Sequence, residues 1–222
     1  MDLLESYTDI CQRLQQAAMD RQTRPTLVAV SKTKSQSLIQ KLYDFGHRDF
    51  GENYAQELCE KASALPNDIT WHFIGPCQSN KVKSVAQISH LVVHTIDRVK
   101  IASKFSEEAS RLGKVIPVFV QVNISSEASK SGVLPGEEAL ELCRFVLEHC
   151  TYLKLNGLMT IGKIGDVSAF EALRNLADTI ALKLGHDMQC SMGMSGDFED
   201  AVRFGSDVVR IGSSIFGKRA YF

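Results

Sequence analysis

Short apolar segments alternate with longer amphipathic segments along almost the whole chain. Residues 26–30 form an apolar run that is too short and too rich in β-branched side chains for a helix, and residues 115–122 form the strongest such run. Between the runs, apolar side chains recur at helical spacing, for example at Leu38, Leu42 and Phe45. Roughly eight strands therefore alternate with helices, and this pattern predicts a parallel sheet that is covered by helices.

Two architectures satisfy this alternation, an open doubly wound sheet and a closed (β/α)8 barrel. The first strand is not followed by a Gly-x-Gly-x-x-Gly turn, which weighs against a dinucleotide-binding sheet. Eight units spread evenly over 222 residues favour the barrel, although such barrels more often take about 250 residues. We therefore predict one α/β domain over residues 1–222, a (β/α)8 TIM barrel. Residues 1–24 are predicted to form an extra N-terminal helix that packs on the barrel.

The composition excludes several classes of protein. The chain has 25 Lys and Arg against 26 Asp and Glu, and this even balance gives no basic surface for nucleic acid or an anionic membrane. The six cysteines contain no Cys-x-x-Cys pair, so we expect small buried thiols in a reducing compartment. The sequence shows no signal peptide, and no apolar run approaches the roughly 18 residues of a membrane span. We expect a cytoplasmic protein without a metal site, and the even charge favours a monomer.

Glycines and serines cluster after the last two predicted strands. Ser195 and Gly196 follow the seventh strand, and Gly212, Ser213 and Ser214 follow the eighth. In a barrel, these loops and the start of a short following helix form the usual phosphate site, because their backbone N–H groups and hydroxyls bind anions. No Lys follows the glycines, so the pattern is not that of a nucleotide P-loop. Helix capping is the alternative explanation for such clusters.

Two basic residues lie at predicted strand ends near this cluster. Lys32 directly follows the first strand, so its amine points toward the barrel mouth, where a desolvated Lys can act as a Schiff-base nucleophile. A phosphate site beside such an amine can hold pyridoxal 5′-phosphate, although a class I aldolase would also fit. Arg210 lies two residues before Gly212, close to where the pyridine nitrogen of that cofactor would lie. The alternatives are a solvated Lys and an Arg paired with a carboxylate.

A series of short motifs occurs in order between residues 26 and 219. The motifs are Val30-Ser-Lys-Thr-Lys34, Phe50-Gly-Glu-Asn-Tyr54, Trp71-His-Phe-Ile-Gly75, Gln78-Ser-Asn-Lys81, His94-Thr-Ile-Asp97, Val122-Asn-Ile124, Lys130-Ser-Gly132, Gly157-Leu-Met159, Ser191-Met-Gly-Met-Ser195, Val209-Arg-Ile-Gly212 and Ile215-Phe-Gly217. In these motifs the chain resembles the pyridoxal phosphate homeostasis protein family, whose members resemble the N-terminal barrel domain of alanine racemase.

The resemblance implies a role for each matching position. Lys32 would hold the cofactor as a Schiff base, with Asn53 and His72 beside the ring and Arg210 facing the pyridine nitrogen. The implied cofactor-binding set is Lys32, Asn53, His72, Met192, Ser195, Arg210, Gly212 and Ser213, in which Ser195, Gly212 and Ser213 bind the phosphate. The chain departs from the family in having Ser35 for Pro, Cys77 for Leu and Ser213 for Thr. Ser213 keeps the hydroxyl, and we interpret Cys77 as structural.

The resemblance leaves two functions open, a cofactor carrier and an amino-acid racemase. Racemisation needs an acid or base on each face of the substrate, and alanine racemase, by resemblance, takes a second one from a Tyr of an appended domain. This chain ends at Phe222 after the eighth unit, and Tyr54 is the only Tyr clearly near a strand end. We therefore expect an open barrel that buffers or delivers the cofactor, with transient contacts to apo-enzymes and no established catalytic residue. The alternative is a racemase that acts through the same Schiff base.

Overall fold

The computed structural model describes residues 2–125, 131–162 and 166–217, and its core is a closed barrel of eight parallel strands. The strands are β1 (Thr26–Val30), β2 (Asp49–Glu52), β3 (Thr70–Phe73), β4 (Leu91–Ile96), β5 (Ile116–Gln121), β6 (Leu153–Met159), β7 (Gln189–Ser191) and β8 (Val208–Ile211). The helices are α1 (Leu3–Ala17), α2 (Gln36–Asp44), α3 (Ala55–Ala64), α4 (Val82–Ala86), α5 (Val99–Arg111), α6 (Glu137–His149), α7 (Ser168–Leu184), α8 (Phe198–Arg203) and α9 (Ser213–Phe216). The predicted (β/α)8 barrel is confirmed.

Each strand pairs with the next strand along the chain, and β8 pairs with β1 to close the barrel. At the closure, Val28 lies opposite Arg210, and across β2 and β3, Gly51 lies opposite His72. Alternate residues of each strand point inward, so Val28 and Phe119 pack with other apolar side chains inside the barrel. The larger hydrophobic core lies between the strands and the surrounding helices.

The first helix packs on the outside of the barrel next to the last two helices. Helix α1 contacts α8 and α9, and its Arg13 forms an ion pair with Glu199 at the start of α8. Beyond the helix, Arg21 forms an ion pair with Asp207, just before β8. These contacts place the beginning of the described chain beside the end of the barrel sheet.

In the part of the chain that the structure describes, no helix is long and apolar enough to span a membrane. The same residues contain no cluster of His, Cys, Asp or Glu suited to a metal ion. All six cysteines are free thiols, and four of them are buried.

Candidate functional site

A cavity of about 390 Å³ opens at the carboxyl end of the barrel. Its walls come from residues near the carboxyl ends of β1 and β8 and from residues that follow β1, β2, β3, β6, β7 and β8, which is where barrel proteins build their ligand sites. The lining residues are Val30, Lys32, Lys34, Asn53, Ile74, Ile161, Met194, Ser195, Gly196, Arg210, Gly212, Ser213 and Gly217. Six of the eight residues predicted to bind a cofactor therefore line one cavity.

Lys32 lies in a tight turn directly after β1. The backbone N–H of Lys34 donates to the Ser31 carbonyl at 3.0 Å, and Thr33 has a φ of 63°. A positive φ at the third residue is typical of a type II turn, which usually has Gly or Asn there, and a β-branched residue in this conformation is strained. The turn brings the partly exposed Lys32 side chain to the cavity.

The loops after β7 and β8 meet at the serine and glycine cluster. The backbone N–H groups of Gly212 and Ser214 both point at the Ser195 hydroxyl oxygen, at 3.2 and 3.4 Å. The two loops therefore hold two backbone donors and the hydroxyl of Ser195 at one side of the cavity, with Ser213 also in its wall. Converging donors of this kind suit an anionic group such as a phosphate.

Asn53, which lines the cavity, packs closely against Gly75, a residue without a side chain. A Cβ atom added to Gly75 would lie 1.8 Å from the Asn53 carbonyl oxygen, so only glycine fits at that position. The side-chain oxygen of Asn53 is buried and has no hydrogen-bond partner within the described part of the chain. A buried polar atom without a partner is costly, and a bound ligand with a donor would satisfy it.

Arg210 is a buried cation in the floor of the cavity. Its guanidinium donates to the Ser191 hydroxyl at 2.7 Å and to the Thr160 carbonyl at 2.8 Å. Burial lowers the pKa of Arg210 to about 10, while Asp197 opposes the shift. The side chain therefore remains charged at neutral pH and can act only as a donor.

A chain of hydrogen bonds continues from Arg210 through the barrel interior. The Ser191 hydroxyl lies 3.0 Å from Nδ1 of His94, whose Nε2 lies 2.9 Å from Nδ1 of His72. Nε2 of His72 in turn lies 3.0 Å from the Asp49 carboxylate, at the first residue of β2. The Asp49 side chain is 34% exposed, so this chain of hydrogen bonds runs from the cavity floor to a partly solvated carboxylate.

The two ends of this chain fix the direction of its hydrogen bonds. Arg210 can only donate and an ionised Asp49 can only accept, so we assign neutral imidazoles that carry their proton on Nε2. The opposite direction would turn a lone pair of His72 toward the carboxylate. Burial, the nearby His72 and Arg210 together lower the pKa of His94 well below its ordinary value, which agrees with a neutral ring.

Two of the predicted site residues do not line the cavity. His72 points into the barrel interior, but its ring is bonded to His94 and Asp49. Met192 is fully buried and belongs to the core between the strands and the helices. Cys77 is also buried, and burial raises the pKa of its thiol to about 11, so the thiol is protonated at neutral pH. Lys130, the first residue of the Lys130-Ser-Gly132 motif, lies outside the described residues.

The site residues predicted from the sequence do not include Asp49, His94 and Ser191. A signal for three residues of this hydrogen-bond chain exists in the alternation of the strands, because Ser191, His94 and Arg210 are polar residues at inward positions. Polar groups inside a barrel need hydrogen-bond partners, and they find them in one another.

The closed parallel barrel, the cavity at its carboxyl strand ends and a matching family model together place the chain in the class of alanine racemase N-terminal barrels. The family model described as "Alanine racemase, N-terminal domain" matches residues 5–220. Within this class, the chain belongs to the family of pyridoxal phosphate homeostasis proteins.

The family assignment rests on relatives that align over nearly their whole length. The pyridoxal phosphate homeostasis protein of Schizosaccharomyces pombe is 41% identical over 227 residues, which are 99% of this chain and 94% of the relative. The human protein of the same name is 41% identical, and the alignment covers 95% of this chain and 84% of the length of the human protein. The solved structure of PipY from Synechococcus elongatus, with PLP bound, matches with a TM-score of 0.82 at 27% identity, covering 97% of this chain and all of PipY.

Proposed function

We propose that this protein binds pyridoxal 5′-phosphate in the cavity at the carboxyl end of the barrel, with Lys32 as its covalent attachment point. The observation that carries the proposal is the meeting of three features in one cavity. They are the amine of Lys32, the donors around Ser195 and Gly212, and the buried guanidinium of Arg210. The amine would condense with the cofactor aldehyde, forming a C=N bond and releasing one water molecule.

The remaining lining fits the other parts of the cofactor. The phosphate would take the donors that now converge on Ser195, and the buried oxygen of Asn53 would accept a hydrogen bond from a group on the ring. Arg210 would donate to the pyridine nitrogen, and this permanent cation would keep the nitrogen unprotonated and the ring a weak electron sink. His72 would support the ring end through His94 rather than by contact, which differs from the role that the resemblance implies.

We further propose that the protein buffers or delivers the cofactor and does not turn over amino acids. The described lining contains Lys32 and Lys34 but no Tyr, His, Cys, Asp or Glu. Lys32, the proposed attachment point, would supply proton transfer on one face, and the Lys34 amine donates to the carbonyls of Phe216 and Gly217. A racemase needs a second group on the opposite face. The names of the relatives, including the human protein, also support homeostasis.

A reduction experiment tests the binding proposal. The purified protein should take up pyridoxal 5′-phosphate, absorb in the visible range, and carry the label on Lys32 after borohydride reduction and peptide mass spectrometry. Lys32→Ala should abolish the label, whereas Lys34→Ala, which removes an amine from the same cavity wall, should retain it. A protein that stays colourless with added cofactor would refute the proposal.

Two further assays separate carrying from catalysis. Loaded protein incubated with an apo-enzyme should restore that enzyme's activity even when a phosphatase destroys free cofactor, if delivery is by contact. Exchange of the Cα proton of alanine with solvent should remain at background. Exchange at racemase-like rates that Lys32→Ala abolishes would favour the racemase alternative. We also propose that the protein is cytoplasmic and monomeric. Sedimentation of the loaded protein would test the monomer.

A further inference from the structure

We propose that Glu57 on α3, acting with Lys61 and Glu52, is a positioning residue that holds the Lys32 turn in its reactive shape. The inference rests on the proposed function, because it concerns how Lys32 is presented to the cofactor. None of these three side chains lines the cavity. Their contacts lie on the other side of the turn, at the backbone of Ser31 and Thr33.

The centre of the arrangement is the buried amine of Lys61. Its Nζ lies 2.7 Å from each of three acceptors, the Ser31 carbonyl and one carboxylate oxygen each of Glu52 and Glu57. An ammonium group has three N–H donors, so all of them are used. The Lys61 side chain is only 5% exposed, and this burial strengthens each of these bonds.

These three side chains form hydrogen bonds to the residues on both sides of Lys32. On the preceding side, Lys61 binds the Ser31 carbonyl and the Ser31 hydroxyl donates to Glu52 at 2.6 Å. On the following side, the backbone N–H of Thr33 donates to Glu57 at 2.6 Å. Lys32 is therefore the residue between two anchored peptide groups.

The hydrogen bond between Glu57 and Thr33 matters because of the backbone conformation of Thr33. A threonine with a φ of 63° is strained, and it persists only when surrounding contacts hold it. Glu57 supplies a charge-assisted hydrogen bond to the N–H of this residue. Without that bond the strained backbone of Thr33 would relax to a more favourable φ. The Lys32 amine would then leave the position from which it reaches the cofactor aldehyde.

Glu57 offers a well-matched test because Glu60 lies on the same helix. Glu60 is exposed, and its described side-chain partner is Gln56 rather than the turn. Glu57→Ala and Glu60→Ala therefore remove the same charge from α3, but only the first removes the bond to Thr33. Glu57→Gln keeps an oxygen that can accept from Thr33.

The measurement is the rate of Schiff-base formation with added pyridoxal 5′-phosphate, followed by visible absorbance and by borohydride trapping on Lys32. All variants are compared well below their melting temperatures, so that each is fully folded. We expect Glu57→Ala to react roughly tenfold more slowly than wild type, the size expected for a lost hydrogen bond to a charged group. Glu60→Ala and Glu57→Gln should react within about twofold of wild type, which is the size of a weak surface effect.

Each outcome decides a different claim. If wild type reacts at Lys32 but Glu57→Ala and Glu60→Ala react equally fast, the positioning role is overturned while the binding proposal stands. If Glu57→Gln is as slow as Glu57→Ala, the hydrogen bond is not the cause and the inference also fails. If wild type forms no adduct at Lys32, both this inference and the proposed function fall.

Discussion

Replacing Lys61 by Met should destabilise the protein more than almost any other single change at a charged residue. Met keeps the apolar stem of Lys61 but removes the ammonium group. Glu52, which is fully buried, then keeps only the Ser31 hydroxyl as a donor. One of its carboxylate oxygens already lacks a partner among the described residues, so the variant leaves a buried charge almost uncompensated.

The magnitude follows from breaking a buried ion pair by removing one partner. Such changes cost about 3–5 kcal/mol, and a protein of this length loses roughly 2–4 °C of melting temperature per kcal/mol. In the wild type, burial already raises the pKa of Glu52 above its ordinary value, and Lys61 and Ser31 oppose that shift. Without Lys61 the pKa of Glu52 should rise further.

The sign of the pH dependence follows from this raised pKa. The folded form binds the Glu52 proton more tightly than the unfolded form, so the contribution of Glu52 to the free energy of unfolding is greatest below its unfolded pKa of about 4.3. This contribution is lost as the pH rises through the folded pKa. The deficit of Lys61→Met should therefore be smaller at pH 5 than at pH 8.

Urea denaturation followed by circular dichroism at the two pH values measures this deficit. The double variant Glu52→Gln/Lys61→Met removes both charges, so it should recover much of the lost stability and show no added pH dependence. A deficit below about 1 kcal/mol, the size of an exposed pair, would refute the reasoning. A deficit that does not grow with pH would refute it as well.

Three further predictions follow from the described contacts. Gly75→Ala should destabilise the protein strongly because its Cβ would collide with the Asn53 carbonyl. Gly162→Ala should be tolerated, because its Cβ would lie 3.6 Å from the Cβ of Ala169, the nearest atom among the described residues, and thermal melts of the two variants compare them. Because the pKa of His94 is lowered in the fold, stability should fall as the pH drops below about 6.5, and His94→Gln should flatten that slope in urea titrations. The Cys77 thiol, with a pKa of about 11, should resist iodoacetamide at pH 8 in the folded protein and react after unfolding, as peptide mass spectrometry would show.

The sequence predicted the strands well because their signals are local. The run of residues 26–30 is observed as β1, since it is apolar, β-branched and bounded by Pro25 and Ser31. The apolar pattern does not predict where helix α4 begins, which is at Val82. Helix ends depend on capping contacts that the apolar pattern does not contain.

The site was predictable only in part for a geometric reason. Residues in the loop that follows a strand, such as Lys32 and Ser195, lie near the barrel mouth, and both line the cavity. Alternation predicts that His72 points inward, but its depth along the axis depends on the tilt and stagger of the strands. The chain also shows no local sign that Lys61, nine residues after Glu52, turns back to bind it.

The hydrogen-bond chain inside the barrel has a consequence for the electrostatics of the cavity floor. Every donor between Arg210 and Asp49 points toward the carboxylate, so the hydroxyl and the two neutral imidazoles turn their electronegative acceptor atoms toward Arg210. The five side chains begin with a cation at the cavity and end with a carboxylate, and the dipoles between them are aligned so that they stabilise both charges. A proton added to Nδ1 of His94 would reverse its bond to Ser191 and turn a donor toward the cation. The buried guanidinium of Arg210 therefore has a partner whose orientation is set by hydrogen bonds that extend to Asp49, outside the cavity.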